Sequence, residues 1–206
     1  MIISRKHKFI FIHVPKVGGT SIKKGLRSFY DRKTELEKVP KGMRVSSAIA
    51  RKHVAAFMLR QAIGGKQWNN YFKFGFVRNP WDWVVSIYHF IRINGRDPRQ
   101  PEVLKMTFEQ FVPWFIRQDS VEFKLLNGQH SYLMHRGKTL VNFIGKIEKF
   151  QEHFDIVCDS IGIAHQKLGR DNTTKRTAYR DYYSEKNRKI VAQFFKKDIQ
   201  LFRYEF

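Results

Sequence analysis

Two short stretches of this chain carry residue types and spacings suited to gripping an anion. The first is Pro15-Lys16-Val17-Gly18-Gly19-Thr20-Ser21, which follows the apolar run FIFIHV. Glycines let a backbone close around an anion, so that successive N–H groups and the positive end of a following helix face its oxygens. Lys16 adds a mobile cation, and Thr20 and Ser21 add hydroxyl donors in the first helical turn. The order differs from the nucleotide loop G-x-x-x-x-G-K-[ST], where the lysine comes after the glycines. A magnesium-dependent phosphoryl-transfer enzyme also wants a carboxylate near the ion. The strand over 71–77 offers none at its end, although Glu148 would imitate one. Alone, such a glycine turn also serves as a plain strand–helix connection.

The second stretch is Phe74-Gly75-Phe76-Val77-Arg78-Asn79-Pro80-Trp81, with Ser86 on the helix that follows. Arg78 leaves the end of a strand, where open α/β sheets place ligands. Its guanidinium fork suits phosphate, and Ser86 adds a neutral donor. The two converge on one anion only if the helix folds back beside the strand end. On its own the pattern equally fits an arginine capping a strand and a hydroxyl on a helix face.

Periodicity supplies the elements that would position these groups. Lys8 to Val14 reads as a short buried strand, and 20–30 as a helix with Ile22, Leu26 and Phe29 on one face. Residues 31–47 read as a loop with a short strand near Met43 to Ser46. A helix over 54–63 ends at Gly64-Gly65, and 71–77 alternates as a strand. Pro80 then opens a helix through Ile93, stopped by Asn94-Gly95. Further elements are a helix over 108–117 interrupted or bent at Pro113, a strand over 141–147 and a helix from 149 to about 161. A polar basic loop spans 165–181. One long closing helix spans 184–202, capped by Ser184, with an apolar stripe of Ile190, Val191, Phe194, Phe195, Ile199 and Phe202. Strands alternating with helices predict an α/β fold: a three-layer sandwich around a central, mostly parallel sheet. With 206 residues and no linker or repeat, residues 1–206 read as a single domain.

Composition narrows the partners. Lys and Arg number 39 against 18 Asp and Glu, a formal charge of +21 that recruits anions. The charge is spread along the chain and does not choose among nucleotide, nucleic acid, anionic glycan and acidic lipid. Cys158 is the only cysteine, so no intrachain disulfide forms. The apolar run FIFIHV is too short for a signal-peptide core or a membrane span, which predicts a soluble, cytoplasmic protein.

Together the two stretches resemble the carbohydrate-type sulfotransferases, the heparan- and chondroitin-like Golgi enzymes and their bacterial relatives. The likeness continues through WNNYFKFGFVRNPWDWVVSIYHF, FIGKIEKFQEHFDIVCDSIGI and YRDYYSEKNRKIVAQFFKKDIQLFRYEF, most of the chain in the expected order. It implies the P-loop-NTPase-like sulfotransferase fold and transfer of a sulfuryl group from 3′-phosphoadenosine 5′-phosphosulfate (PAPS) to a carbohydrate hydroxyl. The product nucleotide is PAP (adenosine 3′,5′-bisphosphate), and no metal is required. In that reading Lys16, Gly18, Gly19, Thr20 and Ser21 cradle the phosphosulfate, with Lys16 also catalytic. Arg78 and Ser86 hold the 3′-phosphate. His53 matches the family's catalytic histidine as the base, with His13 as its rival and His89 as a further candidate in the acceptor cleft. Lys175 or Arg176, in a late basic loop, contacts the donor. Many relatives carry a basic residue where this chain has Trp83, a departure that falls on the acceptor side.

The acceptor is a carbohydrate or another hydroxyl compound, an anionic glycan being attractive for so basic a chain. Trp81, Trp83, Trp114 and Tyr132 could stack on sugar rings, although core packing suits each better. The alternatives are a P-loop-type nucleotide kinase or NTPase and, more weakly, a nucleic-acid-binding protein. The latter rests on charge alone, since no zinc spacing, RNA-recognition motif or helix-turn-helix is present, and no nucleic-acid partner is expected.

Overall fold

Phe9, Ile10, Phe11 and Ile12 have no solvent exposure at all, as a strand covered on both faces requires. The computed structural model describes residues 1–30, 53–118, 128–169 and 176–206. In chain order it begins with β1 (Ile2–Ser4), β2 (Phe9–Ile12), α1 (Gly19–Gly25) and a 3₁₀ turn at Arg27–Phe29. Next come α2 (Ala56–Ile63), α3 (Gly65–Asn69), β3 (Phe72–Val77), α4 (Pro80–Ile93), α5 (Gln100–Val103) and α6 (Phe108–Arg117). They are followed by α7 (His130–Leu133), β4 (Met134–His135), β5 (Lys138–Thr139), β6 (Phe143–Lys146), a 3₁₀ turn at Ile147–Lys149 and α8 (Phe150–Ser160). A 3₁₀ turn at Tyr179–Tyr182, α9 (Glu185–Phe194) and α10 (Lys196–Phe202) complete the chain.

These elements form two compact units, Met1–Val77 with Gln129–Asp171, and Arg78–Gly128 with Asn172–Phe206. The first holds a four-stranded sheet in the order β1-β2-β3-β6. Among the described residues β2, β3 and β6 are parallel, and only β1 runs antiparallel, as an edge strand against β2. The mostly parallel sheet of the expected α/β fold is therefore present. Its core is aromatic: Phe74 packs on Phe9, Phe11 and Phe76. Asn142, just before β6, brackets Lys73 of β3, accepting from its N–H at 2.9 Å and donating to its carbonyl at 2.7 Å. This pair of hydrogen bonds helps set the β3–β6 register, in which Phe76 stands opposite Gly145.

The second unit is helical. Asn79 caps α4 by accepting from the Trp81 N–H at 3.1 Å, and Pro80 fills the first turn. Thr107 and Gln110 form a reciprocal capping box on α6, which runs on through Pro113. Tyr88 of α4 packs on Phe108 and Phe111 of α6.

Several expected boundaries move. β1 escaped the sequence reading because three residues show no periodicity. The helix expected over 20–30 ends at Gly25 and passes into the 3₁₀ turn, leaving Phe29 half-buried. The expected single closing helix is two, α9 and α10, broken at Phe195. The break changes the phase of the stripe. Phe194 is 38% exposed, while Asp198 is fully buried, and the missing Cβ of Gly128 makes room for its carboxylate. The strand expected near Met43 to Ser46 lies outside the described residues. Among the described residues no helix is long and apolar enough to cross a membrane.

A methyl group on Gly145 would overlap the Phe76 ring. That ring is fully buried and already stands edge-on to Phe150, so it has little room to yield. Gly145→Ala should therefore cost about 1–3 kcal/mol, read as a lowered urea midpoint with an unchanged slope. A midpoint equal to that of the parent chain would contradict this packing.

Candidate active site

The turn that opens α1 lies beyond the C-terminal end of β2, the edge at which a parallel sheet presents its ligands. Gly18 is the N-cap residue, with φ +75°, and Lys16 is also left-handed, with φ +62°. Left-handed geometry costs a lysine more than a glycine; here it accompanies the sharp reversal from strand to helix. Gly18 has no side chain to cap α1, and the first turn carries no acidic residue. The first N–H groups of a helix have no partner within the helix, and the positive end of its dipole favours an anion. Ser21 is buried in this turn, Thr20 is exposed, and Lys16 is half-buried.

Two rings hold the turn. A Cβ on Gly19 would overlap the His13 imidazole, and one on Gly18 would stand 2.5 Å from Phe150 Cζ. Both glycines therefore admit a ring against the backbone, one from the end of β2 and one from the start of α8. Behind them, His13 stacks on Phe11 at 5.5 Å and Phe150 stands edge-on to Phe76 at 5.5 Å. The sheet core thus continues as far as the turn.

His53 belongs to the same unit. Its ring centroid lies 4.4 Å from that of His13, and its Nδ1 lies 2.8 Å from the His13 carbonyl oxygen. A carbonyl only accepts, so Nδ1 carries the proton and, in the neutral ring, Nε2 carries the lone pair. This is the tautomer that a base acting through Nε2 needs. His13 itself is packed against Gly19, in keeping with a role in supporting the turn.

The second unit gathers another set of groups. Arg78 Nε donates to Asp82 Oδ2 at 2.7 Å. Arg176 Nη2 donates to the other oxygen of the same carboxylate, Asp82 Oδ1. Asp82, Ser86 and His89 follow one another at helical spacing on one face of α4. The 176–183 segment is tied to this helix at four points: Arg176 to Asp82, Tyr179 to Asn79, Tyr182 to His89, and Tyr183 to the Trp81 carbonyl. Asn79 also donates to the Glu205 carbonyl at 2.7 Å, and Trp81 Nε1 to the Arg188 carbonyl at 3.1 Å.

The structure thus places Lys16, Gly18, Gly19, Thr20, Ser21 and His53 in one unit, and Arg78, Ser86 and Arg176 in the other; Lys175 lies outside the described residues. Sequence reasoning missed Asp82 and Phe150. Asp82 had a signal, an acid four residues after an arginine at a helix start. Phe150 had none, because its role depends on the crossing of two distant segments. Trp81, Trp83 and Tyr132 are buried; Trp83 stands edge-on to Phe195, and Trp114 Nε1 donates to Glu102.

Parallel strands ending in a glycine turn and an uncapped helix place the chain among the α/β proteins that present ligands at that edge of the sheet. More particularly, the chain belongs to the sulfotransferase family, whose model matches residues 1–205. It is an enzyme of sulfuryl transfer. An uncharacterised protein of Archaeoglobus fulgidus is 30% identical to it over 125 residues, 61% of this chain and 96% of that protein. The mouse sulfotransferase SULT7A1, crystallised in complex with PAP, shares the fold. The match has a TM-score of 0.63 at 16% identity and covers 96% of this chain and 86% of that one.

The surroundings of His89 make the stability of the fold depend on pH. Its Nε2 lies 2.8 Å from Tyr182 Oη. Burial, and then the charges of Arg176 and Arg92, hold its pKa below the usual 6.5. The folded chain therefore resists a proton that the unfolded chain accepts, and stability falls as pH drops below about 6.5. His89→Gln should remove that part of the loss, so that its urea midpoint falls less than the parent's between pH 7.5 and pH 5. Equal falls would place the sensitivity elsewhere.

Proposed function

We propose that this enzyme transfers the sulfuryl group of PAPS to a hydroxyl of a carbohydrate acceptor, and that the two units act as one sulfotransferase domain over 1–206. The observation that carries the reading is the ring-braced glycine turn at a helix start that has no side-chain cap. The family match over both units supports it, as does the bound PAP of the mouse sulfotransferase. Lys16 and the N–H groups of residues 18–21 hold the 5′-phosphosulfate, while Arg78, Ser86 and Arg176 take the 3′-phosphate. Lys175, the residue before Arg176, is assigned to the donor with it.

The step is an in-line displacement at sulfur. The acceptor oxygen forms the new S–O bond, the bond between sulfur and the 5′-phosphate oxygen breaks, and PAP leaves. Charge builds on that leaving oxygen, where Lys16 and the turn amides stabilise it. The hydroxyl proton passes to Nε2 of His53, whose tautomer is set by the His13 carbonyl. The net charge of +21 suits an anionic glycan as acceptor.

Transfer from labelled PAPS to a panel of glycans tests the assignment. Lys16→Ala should lower kcat by about 10²–10³. His53→Ala should lower it by about 10²–10⁴ with PAP affinity kept. Full turnover without Lys16 would remove the mechanism; full turnover without His53 would move the base elsewhere.

A further inference from the structure

In a chain with 18 acidic residues against 39 basic ones, one carboxylate between two arginines calls for a physical account. Asp82 spends both oxygens on guanidinium groups, Oδ2 on Arg78 and Oδ1 on Arg176. All three side chains are mostly shielded, at 17%, 16% and 13% exposure for Asp82, Arg78 and Arg176. Two guanidiniums that share one carboxylate repel each other, and the carboxylate between them offsets that repulsion. Asp82 also sits in the first turn of α4, where the helix dipole favours a negative charge. The cluster retains one net positive charge. Arg176 Nη1 is buried, and among the described residues it has no hydrogen-bond partner. A buried donor left in this state is costly unless a ligand completes it.

We propose that Asp82 is a positioning residue that fixes Arg78 and Arg176 side by side as one receptor for the donor's 3′-phosphate. It rests on the reading of those two arginines as 3′-phosphate holders and adds the group that pre-orders them. Ser86, one turn further along the same face of α4, supplies the neutral donor of the receptor. Asp82 itself stays behind the guanidiniums and touches no substrate. An amide cannot replace it: the Asn side chain has one acceptor oxygen, and its NH₂ group would face a guanidinium, donor against donor. A glutamate keeps both acceptors on a stem longer by one methylene.

The test compares the affinities for PAP and for 5′-AMP, which lacks the 3′-phosphate. The parent chain should prefer PAP by tenfold or more, because the 3′-phosphate adds charge-assisted hydrogen bonds that 5′-AMP cannot make. Asp82→Asn should lose about tenfold in PAP affinity with 5′-AMP affinity unchanged. Asp82→Glu should recover part of that loss. A merely structural role would weaken both nucleotides together, and that outcome overturns the inference. A parental preference for PAP in Asp82→Asn overturns it as well, while leaving the functional reading standing. A parent chain that binds both nucleotides equally overturns the functional reading itself. If Asp82→Asn does not fold, Arg176→Gln reports instead: the preference should fall in the same way, and an unchanged preference contradicts the shared receptor.

Discussion

The site depends on two aromatic rings pressed against two adjacent glycines. His13 lies on Gly19 and Phe150 lies at Gly18, so the turn that opens α1 is held from the end of one strand and from the start of a later helix. A side chain at either glycine would displace a ring, and Gly18 also needs its left-handed φ. The rings transmit the rigidity of the core. Phe150 leans on Phe76, which in turn covers Gly145 of β6, and His13 leans on Phe11. Amides aimed at an anion are effective only if they need no rearrangement when it arrives. A turn fixed in this way meets that condition.

The same contact organises the chemistry around it. By holding His13 in place, the turn also holds the backbone carbonyl that receives the proton of His53 Nδ1. A single hydrogen bond thus sets the tautomer of His53, and the turn and His53 share one support. The second unit works by a different principle. There a carboxylate stands among cations, and Asn79, Trp81 and the 176–183 segment are tied together through α4. The first cluster is ordered by packing, the second by charge.

Much of this was legible in the residues. The buried strand, the glycine turn, the alternating 71–77 segment and the Pro80 helix start follow from short-range rules, and they lie where those rules put them. The family was legible because its two motifs keep their order and spacing. Contacts between distant segments were not. Nothing local in FQEHF marks Phe150 as the seat of Gly18, and nothing in a helical stripe foretells the break at Phe195. That break depends on which residues find partners: Asp198 goes inward and Phe194 outward, the reverse of what hydrophobicity alone dictates. Asp82 lay between these cases. Its spacing from Arg78 was visible, but the arrival of Arg176 from nearly a hundred residues away was not.

A crystal structure with PAP bound is the most direct measurement. The account predicts the 5′-phosphate within hydrogen-bond distance of the N–H groups that open α1, with Lys16 on its oxygens, and the 3′-phosphate on Arg78 and Arg176. A nucleotide bound away from the glycine turn, or turned so that the 3′-phosphate occupies it, would contradict the account.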